Sequence, residues 1–155
     1  TLGNHDTVFM VNPFEEMGIR VLANETISLT RAGEIIYFTG VDDPHYYYTQ
    51  MAAETLEASP GGFKIALIHT PELYDIAEEN GFSLYLAGHT HGGQITLANQ
   101  KPIITHLHNG KHLARGLWRH NGMLGYTSNG AGTSGIPIRF NTKGEITVFT
   151  LACER

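Results

Sequence analysis

The sequence predicts an α/β fold with some parallel strand pairing, on three observations. Two short apolar runs, Lys64 to His69 (KIALIH) and Phe82 to Ala87, have the length and composition of strands buried on both faces of a sheet. Between them lies a helix with both punctuation marks: Thr70 as N-cap with Pro71 and Glu72 opening the first turn, and Asn80-Gly81 as the stop. Strand, helix and strand in that order are the unit of a parallel sheet.

The other elements follow in chain order. Phe9 to Met17 reads as a short helix leaving an opening loop. Ile27 to Leu29 and Glu34 to Val41 read as two strands, turned at Ala32-Gly33. Tyr46 to Leu56 is a predicted helix, its three tyrosines packing it, and it stops before Ser59-Pro60-Gly61-Gly62. After Gly92 the pattern becomes one of strands: Ile95 to Leu97, Ile103 to His108, His112 to Arg119, Met123 to Thr127 and Ile146 to Leu151. Asn109-Gly110 reads as a two-residue hairpin turn, so the last third is expected to be an antiparallel meander, with Trp118 in the core.

At 155 residues, with 41% hydrophobic content and no linker or repeat, the chain is expected to form a single domain, residues 1–155. The net charge of -5 argues against a nucleic-acid partner, which favours basic surfaces. One cysteine, Cys153, forms no internal disulfide, and no apolar run is long enough to span a bilayer. The first residue is Thr1, and the chain is expected to begin partway through a longer protein.

Chemistry concentrates in three places. Gly88-His89-Thr90-His91-Gly92-Gly93 follows the second buried strand, where α/β sheets build their sites. In an extended segment, His89 and His91 point the same way with Cα atoms roughly 6.6 Å apart, so each reaches a different ion of a metal pair. The bland alternative is a glycine-rich turn carrying two exposed histidines. His69 closes the first buried strand, where a lone histidine is more often a hydrogen-bond partner at a helix start than a ligand. Gly3-Asn4-His5-Asp6 supplies a neutral carbonyl oxygen and a titratable imidazole, or simply an ordinary turn.

Taken together, GNHD, a strand-terminal His and GHTH resemble the last three signature blocks of the calcineurin-like metallophosphoesterase superfamily. Gly40-Val41-Asp42-Asp43-Pro44, Gly88 to Gln94 (GHTHGGQ) and Ser128 to Arg139 extend the resemblance to a bacterial phosphodiesterase branch that includes UDP-2,3-diacylglucosamine pyrophosphatases. The resemblance implies an αββα sandwich of mixed sheets and a phosphodiesterase or pyrophosphatase with two divalent ions (Mn, Fe or Zn), a metal-bound hydroxide being its nucleophile. It implies that Asn4, His69 and His89 bind one ion, His91 binds the other, and His5 is the catalytic residue beside the scissile phosphate. Arg139 and Asp43 are candidate substrate contacts. The implied substrate is a small or lipid-linked phosphate ester, with no nucleic acid. The implied setting is bacterial, cytoplasmic or membrane-associated through segments preceding the catalytic domain. A nuclease, a protein phosphatase or a non-catalytic binding scaffold of the same superfamily is the alternative.

The chain departs from the family pattern in lacking the earlier Asp-x-His and Gly-Asp-x-x-Asp blocks. It is therefore expected to be the C-terminal part of an enzyme, carrying only part of the site and impaired or inactive alone. Two further groups admit two readings each. Asp42, Asp43 and His45 line a site rim or make a turn with Pro44, and Gly130 to Gly135 presents backbone N–H groups to an anion or packs beneath the site. His106, His108, His112 and His120 are read as a solvated histidine-rich surface.

Overall fold

A computed structural model describes residues 1–46, 50–98 and 101–152. Tyr47 and Tyr48 of the expected tyrosine-packed helix, and Cys153, lie outside these described residues. Six strands form one mixed sheet in the order β1-β2-β3-β4-β6-β5. They are β1 (Glu25–Arg31), β2 (Glu34–Gly40), β3 (Phe63–Leu67), β4 (Leu84–Ala87), β5 (Gly116–His120) and β6 (Met123–Thr127). The centre of the sheet, β2-β3-β4-β6, is parallel, and the two edges are antiparallel hairpins, β1-β2 and β5-β6. The expected α/β class is the architecture found.

Three short helices accompany the sheet: α1 (Val11–Glu16), α2 (Gln50–Glu57) and α3 (Tyr74–Glu79). Val8–Met10, ahead of α1, is a 3-10 turn. The Thr70 cap is present, its hydroxyl accepting from the Glu72 N–H at 3.4 Å, and the turn that it opens is also 3-10 before α3 begins. Leu56 of α2 and Ala77 of α3 pack with Ala66, Tyr85, Trp118 and Met123 of the strands, all buried. Ile65 and Leu84, register partners on β3 and β4, are buried outside that cluster. Each buried Leu, Ile or Met among them contributes about 1.5–3 kcal/mol on burial. Lys64 is buried in the apolar run by its stem, while its Nζ donates to Ser59 Oγ at 3.2 Å and to the Asn80 carbonyl.

The last third corrects the expected meander. β6 pairs in parallel with β4: the chain crosses over to the edge strand β5 and turns back through Asn121-Gly122 into β6, which lies between β5 and β4. Asn109-Gly110 is not a hairpin: Gly110 has φ 63° and starts a 3-10 turn, Lys111–Leu113. Ile95 and Thr96 make only isolated bridges, and the 103–108 segment holds His106 at φ 57°, which breaks an extended run. The 146–151 segment has the alternation of a strand but no ladder partner among the described residues, and Ile146 is 90% and Val148 87% exposed. A period-2 pattern becomes a strand only when another edge accepts its hydrogen bonds.

Trp118 is in the core as expected, its indole N–H donating to Thr127 Oγ1 at 2.9 Å. A Cβ at Gly125, its register partner, would overlap the indole six-membered ring. Gly125→Ala is therefore expected to lower stability by about 1–3 kcal/mol through forced repacking. The urea midpoint checks this, and an unchanged midpoint would show that the indole has room to move.

Candidate metal centre

The site forms where the parallel strands end. Parallel register pairs Ile65 with Leu84 and Leu67 with Leu86, so the residues two steps beyond each strand, His69 and His89, emerge side by side. The pairing continues past the strands, Ile68 N–H donating to Leu86 O at 3.2 Å and Gly88 N–H to His69 O at 2.9 Å. The opening loop brings in Asn4. It is a tight turn closed by Asp6, whose N–H donates to Gly3 O at 2.9 Å and whose carboxylate accepts from the Gly3 N–H at 2.7 Å. Gly3 passes directly over the His69 ring: a Cβ there would stand 2.5 Å from the imidazole.

Three donor atoms from these three segments meet. Asn4 Oδ1 lies 2.9 Å from His69 Nε2 and 3.2 Å from His89 Nδ1, and the two nitrogens are 3.2 Å apart. Adjacent ligands of an ion held at 2.0–2.2 Å stand roughly 2.8–3.6 Å apart in octahedral or tetrahedral geometry. The triangle thus has the dimensions of one face of a coordination shell. Two imidazoles and an amide oxygen suit a divalent transition metal.

Burial lowers the pKa of each histidine. His89 falls to about 4, first through desolvation and then through the neighbouring His69 and His45 rings, with the His106 carbonyl and Glu72 opposing. His69 is lowered by burial against the pull of Asp43 and Asp6. His91 is also lowered, by burial and then by Arg139, against the Gly132 carbonyl. Unprotonated imidazole is the form that ligates metal.

His91 does not follow the expected geometry. His89 (φ 66°) and His91 (φ 52°) both adopt left-handed backbone, so the motif is a tight turn and not an extended segment with parallel side chains. His91 nevertheless lines the same cavity of about 670 Å³ as Asn4, His5, His69 and His89. Its Nδ1 faces the Gly132 carbonyl at 3.3 Å. His5 is exposed at the cavity edge, its Nε2 3.4 Å from Ser134 Oγ.

The structure places the two candidate substrate contacts in other company. Arg139 donates through Nη1 to His91 O at 3.0 Å, through Nη2 to the Asn129 and Gly130 carbonyls at 2.6 and 3.2 Å, and through Nε to Gly132 O at 3.1 Å. It fastens the 129–132 loop to the histidine turn, and a phosphate would have to displace those carbonyls. Asp43 is only 3% exposed, and its carboxylate accepts the His45 N–H at 3.3 Å and the Tyr46 N–H at 3.1 Å. It shapes the turn that carries His45. The 130–135 loop packs beside the site, held by Gln94, which accepts from Ser134 N–H at 2.7 Å and donates to Ser134 O at 3.0 Å.

Sequence reasoning passed over Glu72, Gln94 and the pairing of His45 with His108. Glu72 reads in sequence as a helix-start acid, yet its carboxylate bonds His45 and the His108 N–H, 27 and 36 residues away. No local spacing announces contacts of that range.

Curated proteins match over nearly the whole chain. A Bacillus subtilis protein named uncharacterized metallophosphoesterase YkuE is 34% identical across 96% of this chain and 54% of its own length. Uncharacterized metallophosphoesterase YkoQ, from the same organism, is 28% identical across 94% of this chain and 56% of its own. A Helicobacter pylori uncharacterized metallophosphoesterase is 30% identical across 96% of this chain and 41% of its own. The chain thus spans about half the length of the curated relatives that it matches. No family model and no solved structure matches it. These similarities support the metallophosphoesterase superfamily, and they do not single out the UDP-2,3-diacylglucosamine branch.

Folding buries His89 unprotonated, so between pH 6.5 and about 4 the folded chain binds fewer protons than the unfolded one. Stability of the metal-free chain is therefore expected to be full above this window and to fall as pH drops through it. Urea midpoints across the window check this, and His89→Asn is expected to flatten the slope. A midpoint that is flat or rises on acidification would contradict it.

Proposed function

We propose that this chain supplies the C-terminal part of the active site of a metal-dependent phosphoester hydrolase, a phosphodiesterase or pyrophosphatase. The observation that carries the reading is the Asn4–His69–His89 triangle, three donors from distant segments within 3.2 Å of one another. Similarity to proteins named metallophosphoesterases supports the same chemistry.

In this reading Asn4, His69 and His89 hold one divalent ion, of the Mn, Fe or Zn class, and His91 is a ligand of a second. Divalent ions at these positions would supply positive charge to the phosphoryl oxygens and acidify water. The protein's own residues do the rest. Gly3 lets the loop close over His69, so Asn4 reaches the imidazoles. Arg139 holds the His91 carbonyl, which fixes the turn that aims the ring. His5, exposed at the cavity edge, is placed to give a proton to the leaving oxygen or to offset its charge. A second cavity of about 350 Å³ shares His91, His106 and Ser134 and is lined by Ile95, Ile103, Ile104 and Ile136. It supports a phosphate ester carrying an apolar portion, small or lipid-linked.

Metal content, with hydrolysis of bis(p-nitrophenyl) phosphate by the whole protein with added Mn²⁺, tests the reading. His69→Ala and Gly3→Ala are each expected to release the ion held by the triangle and to lower activity at least a hundredfold, without loss of the fold by circular dichroism. Full metal content and activity in His69→Ala would overturn the assignment. A metal-free, inactive wild type would favour a binding scaffold instead.

A further inference from the structure

A second group of donors lies beside the first and shares no residue with it. Glu72 is 7% exposed, and its two carboxylate oxygens face different imidazoles: Oε2 is 3.1 Å from His45 Nδ1 and Oε1 is 3.4 Å from His108 Nδ1. The two rings stack at 4.6 Å between centroids with 21° between planes. All three donors fall within 4.8 Å of one another. We propose that His45, Glu72 and His108 form a separate site for a zinc-class divalent ion.

The fit rests on donor type, distance and freedom to adjust. Two imidazoles and a carboxylate are a zinc ligand set that leaves a fourth position open. Both nitrogen–oxygen separations fall within the roughly 2.8–3.6 Å expected between adjacent ligands of such an ion. The group as a whole lies within 4.8 Å, and the His108 side chain, 75% exposed, can swing to close it without disturbing the core. Glu72 is held in its ionised form: burial opposes ionisation, but the His108 N–H, the His45 hydrogen bond and the charges of both rings outweigh it. That N–H donates to Oε1 at 2.6 Å and fixes the carboxylate from behind. The ring of His45 also lies 4.5 Å from that of His89, so the two sites are neighbours with separate donors.

Zinc titration of the metal-stripped chain, by calorimetry with native mass spectrometry for stoichiometry, tests the site. His108→Ala and Glu72→Gln are each expected to lose one bound Zn²⁺ relative to wild type, while His69→Ala loses a different one. His108, being exposed, is removed without threatening the fold, so it decides the matter even if Glu72→Gln unfolds. Unchanged stoichiometry and affinity in His108→Ala would overturn the second site and leave the first standing. Loss of all zinc in His69→Ala would do the same. Loss of all zinc in His108→Ala, with none lost in His69→Ala, would leave the second site and remove the first.

Discussion

Everything at the centre depends on the parallel register of β3 with β4. A one-residue slip would send His69 or His89 to the opposite face of its strand end, because side chains alternate along a strand. In the register found, Leu67 faces Leu86 and the bond from Gly88 to His69 carries the pairing two residues beyond the ladder. The buried runs on either side fix that register, since Ile65 and Leu84 must share a face. Asn4 is then positioned by a four-residue turn that requires glycine at position 3, where a Cβ would meet the His69 imidazole.

Much of this was legible in the sequence. The two apolar runs, the Thr70-Pro71 helix start and the Gly81 stop locate β3, α3 and β4 because each reports a local physical requirement. The three histidine- and asparagine-bearing blocks came together because all follow strand ends or open the chain. What was not legible was long-range or conformational. The parallel return of β6 to β4 depends on which edge is available, and a period-2 pattern at Met123 to Thr127 is silent on direction. The left-handed backbone at His89 and His91 belongs to a tight turn through Gly92, itself at φ 61°, where a Cβ would collide with the Asn129 side chain. The role of Arg139 as a clamp on carbonyls, and of Glu72 as the partner of two imidazoles, came from pairings across dozens of residues.

Seven imidazoles, those of His5, His45, His69, His89, His91, His106 and His108, crowd this end of the sheet, with the buried carboxylates of Asp43 and Glu72 and the exposed one of Asp6 beside them. His69 and His89 face each other with Asn4, a neutral group, beside both; burial lowers the basicity of each, and the His69 ring lowers that of His89 further. A cation held by such a set would keep most of its charge, since imidazole and amide ligands are neutral. Glu72 and Asp43 are both buried there, and Asp43 and Asp6 each raise the basicity of His69 against its burial.

The central claim is that the Asn4–His69–His89 triangle holds a divalent ion. Crystals of the chain grown with Zn²⁺ test it directly through anomalous difference density collected at the zinc edge. The account predicts a peak bonded to Asn4 Oδ1, His69 Nε2 and His89 Nδ1. A zinc-loaded crystal with no peak among those three atoms, whatever ions lie elsewhere, would contradict it.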